Sequence, residues 1–264
     1  MQADFLEEGE GPPVILVHSS VSGARQWRRL MRDLKPYFRG RAVNLFGYGA
    51  TPAWPDRRRQ TLDDQATLVE QLVPADAHDI AIVGHSFGGS VAMRTAMRLG
   101  SRVTRLVLFE PNPFPLLRQH GRAAAFAEIS DLRDWIKQQG AAGEWVAAAA
   151  RFADYWGGAG AWADMNEERR AAFVEALRPN YFEWDAVMAE PSPLNGWEAA
   201  LPSRTLVLRS EETMRPMREI ADLMHERCPH WSFATVAQGG HMAPLTRPDL
   251  VNPLIISFLR GDPG

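Results

Sequence analysis

The run Gly84-His85-Ser86-Phe87-Gly88-Gly89 constrains this chain more than any other segment. It follows Ile80-Ala81-Ile82-Val83, a short apolar run of the kind a buried strand uses. It precedes Val91, Ala92, Thr95, Ala96 and Leu99, which recur at helical spacing and leave a small-residue face. G-x-S-x-G between a strand and a helix is a nucleophile elbow. So tight a turn strains the serine backbone, and a β-carbon two residues before or after the serine would collide with the neighbouring chain. The turn lifts the serine oxygen above the sheet. It also points the first amides of the helix at the same spot, where their partial positive charge suits an oxyanion. Ser86 is therefore the expected nucleophile. A glycine-rich turn that merely happened to hold a serine would need neither the strand before it nor the helix after it.

The same alternation runs along most of the chain. Short apolar runs at 14–17, 42–45, 103–109, 205–208 and 233–236 read as further strands. Between them lie helical patterns, such as Trp27, Leu30, Met31 and Leu34, and Leu62, Ala66, Val69 and Leu72 behind the capping pair Thr61 and Asp64. Strands alternating with helices mean βαβ units, hence an α/β fold with a mainly parallel central sheet flanked by helices. Ligands of such sheets bind beyond the carboxyl ends of the strands. The rhythm breaks between Pro113 and Asn195, a stretch rich in alanine that holds five of the nine tryptophans. It reads as an inserted helical cap over residues 113–195, with residues 1–112 and 196–264 forming the core.

Composition excludes several classes. A formal charge of −3 gives no reason to expect nucleic acid or an anionic membrane as partner. No apolar run is long enough to span a bilayer, and Met1 to Glu10 has no signal-peptide core, so a cytoplasmic protein is expected. The single cysteine, Cys228, permits no internal disulfide and no cysteine metal site. Neither a metal nor another cofactor is implied. A monomer and a homodimer are both compatible with these numbers.

With the elbow, Leu16-Val17-His18-Ser19-Ser20, Asn44-Leu45-Phe46-Gly47-Tyr48-Gly49 and Gly239-Gly240-His241 in hand, the chain resembles the α/β-hydrolase fold superfamily, of the capped kind. The resemblance covers nearly everything outside the cap. It implies a base within hydrogen-bond reach of the nucleophile, and His241, after the last strand, stands where the family's triad histidine sits. His18, His85 and the remaining histidines fit that role less well.

The third triad member departs from the usual pattern. Most relatives supply an aspartate from the loop after the seventh strand, and here its position falls near Thr213. Glu212 is adjacent. The other carboxylate position known in the superfamily lies at the end of the sixth strand, where this chain has Glu110-Pro111. Glu110 is the preferred acid, Glu212 the alternative, with Glu211 or no acid at all behind them. The resemblance also implies an oxyanion hole made by the backbone amides of Phe87 and Ser20, although Ser19 replaces the glycine that usually follows His18.

The implied chemistry is hydrolysis of a carboxylic ester, or a similar acyl bond, of a small to medium apolar small molecule through an acyl-enzyme. The same triad would serve carbon–carbon bond hydrolysis or perhydrolysis. A ligand-binding protein on a hydrolase scaffold is the non-enzymatic alternative, raised by the missing aspartate near Thr213. Cap aromatics such as Phe114, Tyr155 and Trp156 are candidates for an apolar pocket.

Overall fold

Among the described residues seven strands form one sheet: β1 (Phe5–Glu8), β2 (Pro13–Val17), β3 (Arg39–Val43), β4 (Ile80–His85), β5 (Val103–Phe109), β6 (Thr205–Ser210) and β7 (Ser232–Val236). Their order is β1-β3-β2-β4-β5-β6-β7, and only β1, at one edge, runs antiparallel to its neighbour. The computed structural model describes residues 2–55 and 57–261; Met1 of the N-terminal stretch and residues 262–264 at the end of the expected core lie outside the described residues.

The central strands bury both faces, so their sequences read as continuous apolar runs. Alternate side chains still sort into two layers. Ile15, Val17, Ile80, Ile82, Leu106 and Leu108 pack into one cluster. Val14, Leu16, Ala81, Val83, Val107 and Phe109 pack into the other. The expected strand at 42–45 lies earlier, at Arg39–Val43. Arg41 lies between Glu7 of β1 and Ile15 of β2, Arg39 pairs with Pro13 of β2, and both arginines are half-buried. The ladder then ends because the Leu45 N–H is donated to His18 Nε2 at 3.1 Å.

Among the described residues, twelve α-helices flank or top the sheet. They are α1 (Arg28–Leu34), α2 (Leu62–Glu70), α3 (Phe87–Leu99), α4 (Pro115–Gln119), α5 (Ala123–Ala142), α6 (Trp145–Gly157), α7 (Glu167–Leu177), α8 (Asn180–Met188), α9 (Leu194–Ala200), α10 (Arg215–Arg227), α11 (Ala243–Thr246) and α12 (Pro248–Arg260). α2 opens on the Thr61/Asp64 capping box, whose side chains reciprocally satisfy each other's backbone amides. Buried residues of α2, α3 and α10 share one apolar cluster, and those of α1 and α12 the other. Among the described residues α4 to α8 follow β5 without a strand, and α9 leads back to β6. An ion pair between half-buried Arg94 of α3 and buried Glu190 ties the far end of this insertion to the sheet's own helix at 2.5 Å. Among the described residues no helix is long and apolar enough to cross a membrane.

Candidate active site

The strand order explains how residues far apart in sequence meet. β4 lies between β2 and β5, with Val17 level with Gly84 and His85 level with Phe109. The carboxyl ends of three adjacent strands therefore present Ser20, Ser86 and Glu110 side by side.

Ser86 sits at φ 55, ψ −121, a conformation few non-glycine residues adopt. The neighbouring glycines make it possible. A β-carbon on Gly88 would lie 2.3 Å from the His18 carbonyl oxygen and 2.4 Å from that of Val17. One on Gly84 would lie 2.4 Å from the Gly88 carbonyl oxygen. α3 can thus start immediately above the strand end. Phe87, its first residue, carries an amide with no acceptor inside the helix.

His241 follows β7 in a turn made by Gly239 at φ 99 and Gly240 at φ 55. Its Nε2 accepts from Ser86 Oγ at 2.9 Å, and its Nδ1 donates to Glu110 Oε2 at 2.5 Å. All three side chains are buried. Glu110 is held at φ 44, a second strained backbone position at a strand end. Its Oε1 accepts from the Ser210 amide at 2.7 Å and its Oε2 also accepts from Thr213 Oγ1 at 2.8 Å.

Glu212 takes a different partner. Its Oε2 accepts from the Gly239 amide at 3.0 Å, so it braces the loop ahead of His241. Glu211 points outward and is exposed.

Two further histidines support the arrangement. The His85 ring donates from Nε2 to the His241 carbonyl at 2.9 Å and accepts at Nδ1 from Gln26 at 3.1 Å. Burial pushes its pKa well below the ordinary histidine value, which keeps that acceptor free. His18 donates from Nδ1 to the Ser19 carbonyl at 2.7 Å, and burial lowers its pKa to about 4.

Above Ser86 lies a cavity of about 30 Å³. Its apolar wall is Phe87, Phe152, Trp156, Trp184 and Val187; its polar wall includes Ser19, Ser20, Asn112, Asn180 and Glu183. The Trp156 ring covers His241, with centroids 4.4 Å apart. Of the other aromatics considered, Phe114 is fully buried and stacks on Trp184, while the Tyr155 hydroxyl donates to Glu128 at 2.8 Å. Neither lines the cavity. Asn180 and Glu183 escaped the sequence analysis: α8 carries no local motif around them, and Ser20, the residue they meet, lies 160 and 163 positions away.

A family model described as "Alpha/beta hydrolase family" matches residues 14–254. The chain is 26% identical to a pimeloyl-[acyl-carrier protein] methyl ester esterase of Nitrosospira multiformis, over 96% of each protein. It is 27% identical to a 2-hydroxymuconate semialdehyde hydrolase of a Pseudomonas species, over 88% of this chain and 85% of that one. An esterase from Exiguobacterium antarcticum superposes with a TM-score of 0.75 at 17% identity, over 98% of this chain and 95% of that one, a likeness of fold alone. The fold is that of the α/β hydrolases, a class of enzymes. This chain belongs to the alpha/beta hydrolase family and is a hydrolase.

Proposed function

We propose that the protein hydrolyses a carboxylic ester, or a similar acyl bond, of a small to medium apolar molecule through a covalent acyl-enzyme. Ser86 Oγ attacks the carbonyl carbon and gives its proton to His241 Nε2. Glu110 holds the imidazole in the tautomer that leaves Nε2 free to accept, and stabilises the imidazolium that forms. The carbonyl oxygen, now an anion, is held by the amides of Phe87 and Ser20. Collapse expels the alcohol, which takes the proton from His241. Water, activated by the same imidazole, then releases the acid and regenerates Ser86. The inserted helices α4–α8 serve as a cap that keeps bulk water from the acyl-enzyme.

The observation that carries this reading is the unbroken chain of short contacts Ser86–His241–Glu110 beside a cavity that is apolar on one side. The full-length similarity to a methyl ester esterase favours ester chemistry. The similarity to a semialdehyde hydrolase makes carbon–carbon cleavage by the same residues the second reading. A fluorophosphonate probe together with p-nitrophenyl esters of graded chain length tests the proposal. Rapid labelling and turnover, both lost in Ser86→Ala, are expected. A folded wild-type protein that neither labels nor turns over any ester overturns it.

A further inference from the structure

Glu183 is a carboxylate in the wall of the reaction cavity that the proposed chemistry does not use. It is 1% exposed, and burial pushes its pKa above the usual carboxylate value. Three donors converge on it. Ser20 Oγ and Asn180 Nδ2 donate to Oε2 at 2.5 and 3.0 Å, and the Tyr48 hydroxyl donates to Oε1 at 2.9 Å. Tyr48 in turn accepts from the Val21 amide at 3.0 Å. Asn180 reaches the same point again, donating to Ser20 Oγ at 3.2 Å. Both ends of the Ser20-Val21 pair are therefore tied to one carboxylate on α8.

That loop needs holding. Val21 has φ 67, a left-handed backbone that a β-branched residue adopts only when its surroundings enforce it. The loop's own bonds link Ser19 to Gln26 and Ser22 and bring the Ser19 and Ser22 hydroxyls to the Ser20 carbonyl at 3.4 Å, and none of them reaches the Ser20 N–H or Val21.

We propose that Glu183 is a positioning residue: by gripping Ser20 and, through Tyr48, Val21, it fixes the Ser20 amide as an oxyanion donor, so that seating α8 over the sheet and assembling the oxyanion hole are one event. This rests on the hydrolase reading above. The inserted helices then do more than exclude water. Whenever α8 lifts away, Ser20 loses its anchor and Ser86 loses one of the two amides that stabilise the tetrahedral anion. Chemistry is thereby confined to the closed form.

The test measures p-nitrophenyl acetate hydrolysis by the full chain and by Glu183→Gln, Ser20→Ala and the double variant. Binding of a trifluoromethyl ketone is measured on the same proteins. Ser86 Oγ adds to that ketone's carbonyl carbon, the hydroxyl proton passes to His241, and the carbonyl oxygen becomes a stable anion in the hole. Glutamine offers one acceptor oxygen where three donors arrive, and Ser20→Ala removes one of those donors while leaving the Ser20 amide in the chain.

Each single variant should lower kcat about ten- to a hundredfold, part of the loss known for deleting a whole oxyanion donor, with KM little changed. Affinity for the trifluoromethyl ketone should fall by the same factor, because both report the anion. The double variant should be no worse than the poorer single one, since the two changes break one link. Single variants with unchanged kcat overturn the inference. So does a loss of kcat without loss of ketone affinity, or losses that multiply in the double variant. If Glu183→Gln does not fold, Ser20→Ala decides alone by its kcat and ketone affinity. Wild-type turnover that vanishes in Ser86→Ala is established first. An inactive wild type overturns the hydrolase reading and this one with it, whereas an active wild type with unaffected variants overturns only this one.

Discussion

Thr213 Oγ1 donates to Glu110 Oε2 at 2.8 Å, on the same oxygen that meets His241 Nδ1 at 2.5 Å. Thr213, near which the resemblance leads one to expect an aspartate, thus holds a donor that orients the carboxylate on the neighbouring strand end. With one hydrogen bond from Thr213, one from the Ser210 amide and one from His241, the Glu110 side chain has little freedom to rotate.

That arrangement predicts an asymmetry between two glutamates. Glu110→Gln keeps the size of the side chain but loses the charge that stabilises an imidazolium, and its amide can select the wrong tautomer of His241. Turnover of p-nitrophenyl acetate should fall about 10³- to 10⁴-fold. Glu212→Gln keeps an oxygen to accept from the Gly239 amide at an exposed site, so its loss should be no more than about threefold. Steady-state kinetics on both variants checks this. Equal, small losses would refute the assignment of Glu110.

Why the elbow could be read from the sequence and the cavity's polar wall could not is a matter of locality. Ser86 depends on glycines within two positions, on an apolar strand before it and on a helix after it, all visible in one stretch. Glu110 was readable as a strand-end carboxylate next to β4, but its preference over Glu212 rested on position alone. The Thr213 contact that favours it spans 103 residues. Asn180 and Glu183 depend on how α8 is laid over the sheet, which no short-range pattern encodes. Trp156 reaches His241, yet nothing in its spacing separates it from its neighbour Tyr155, which turns to Glu128 instead. The β3 offset has a similar origin: Arg39 and Arg41 look like loop residues until β2 is known to pair with both and β1 with Arg41.

The elbow's backbone also predicts an intolerant site. Gly88→Ala would put a methyl group 2.3 Å from one carbonyl oxygen and 2.4 Å from another, both in the backbone of the chain at the end of β2. Neither can retreat without breaking the sheet beside Ser86. The variant should lose about 3 kcal/mol or more of stability, read as a lower urea midpoint or as insoluble protein. Gly196→Ala in α9, also a helical glycine and meeting nothing closer than 3.4 Å, controls for loss of a glycine without a clash. A Gly88→Ala protein as stable as that control would contradict the geometry.

His18 predicts how stability depends on pH. Its Nε2 must accept from the Leu45 amide, so protonation breaks a buried bond, and its pKa falls from 6.5 to about 4. Between those values the unfolded chain binds a proton that the folded chain does not. Stability from this group is therefore fully present above pH 6.5 and is lost progressively as pH falls toward 4, by roughly 3 kcal/mol in all. Buried His85, also shifted downward, acts in the same direction. Urea unfolding between pH 4.5 and about 7.5 should show wild-type stability falling with acid, and His18→Gln, although weaker at neutral pH, should fall less steeply. Parallel curves would show that His18 does not titrate between the two states.

Trp156 predicts substrate size. Its indole lies over His241 with centroids 4.4 Å apart and closes one side of a cavity of about 30 Å³, which has room for about two water molecules. So small a space admits a short acyl group with α6 seated and resists each added methylene. Trp156→Ala removes one of the two indoles of that wall. The ratio of kcat/KM for p-nitrophenyl hexanoate to that for the acetate should rise at least about tenfold, the scale of a methylene or two accommodated in an apolar pocket. Turnover of the acetate itself should fall, because the imidazole loses the face that shields its proton transfers from water. An unchanged chain-length preference would mean that the acyl group lies elsewhere, on the side of Val187 and Trp184.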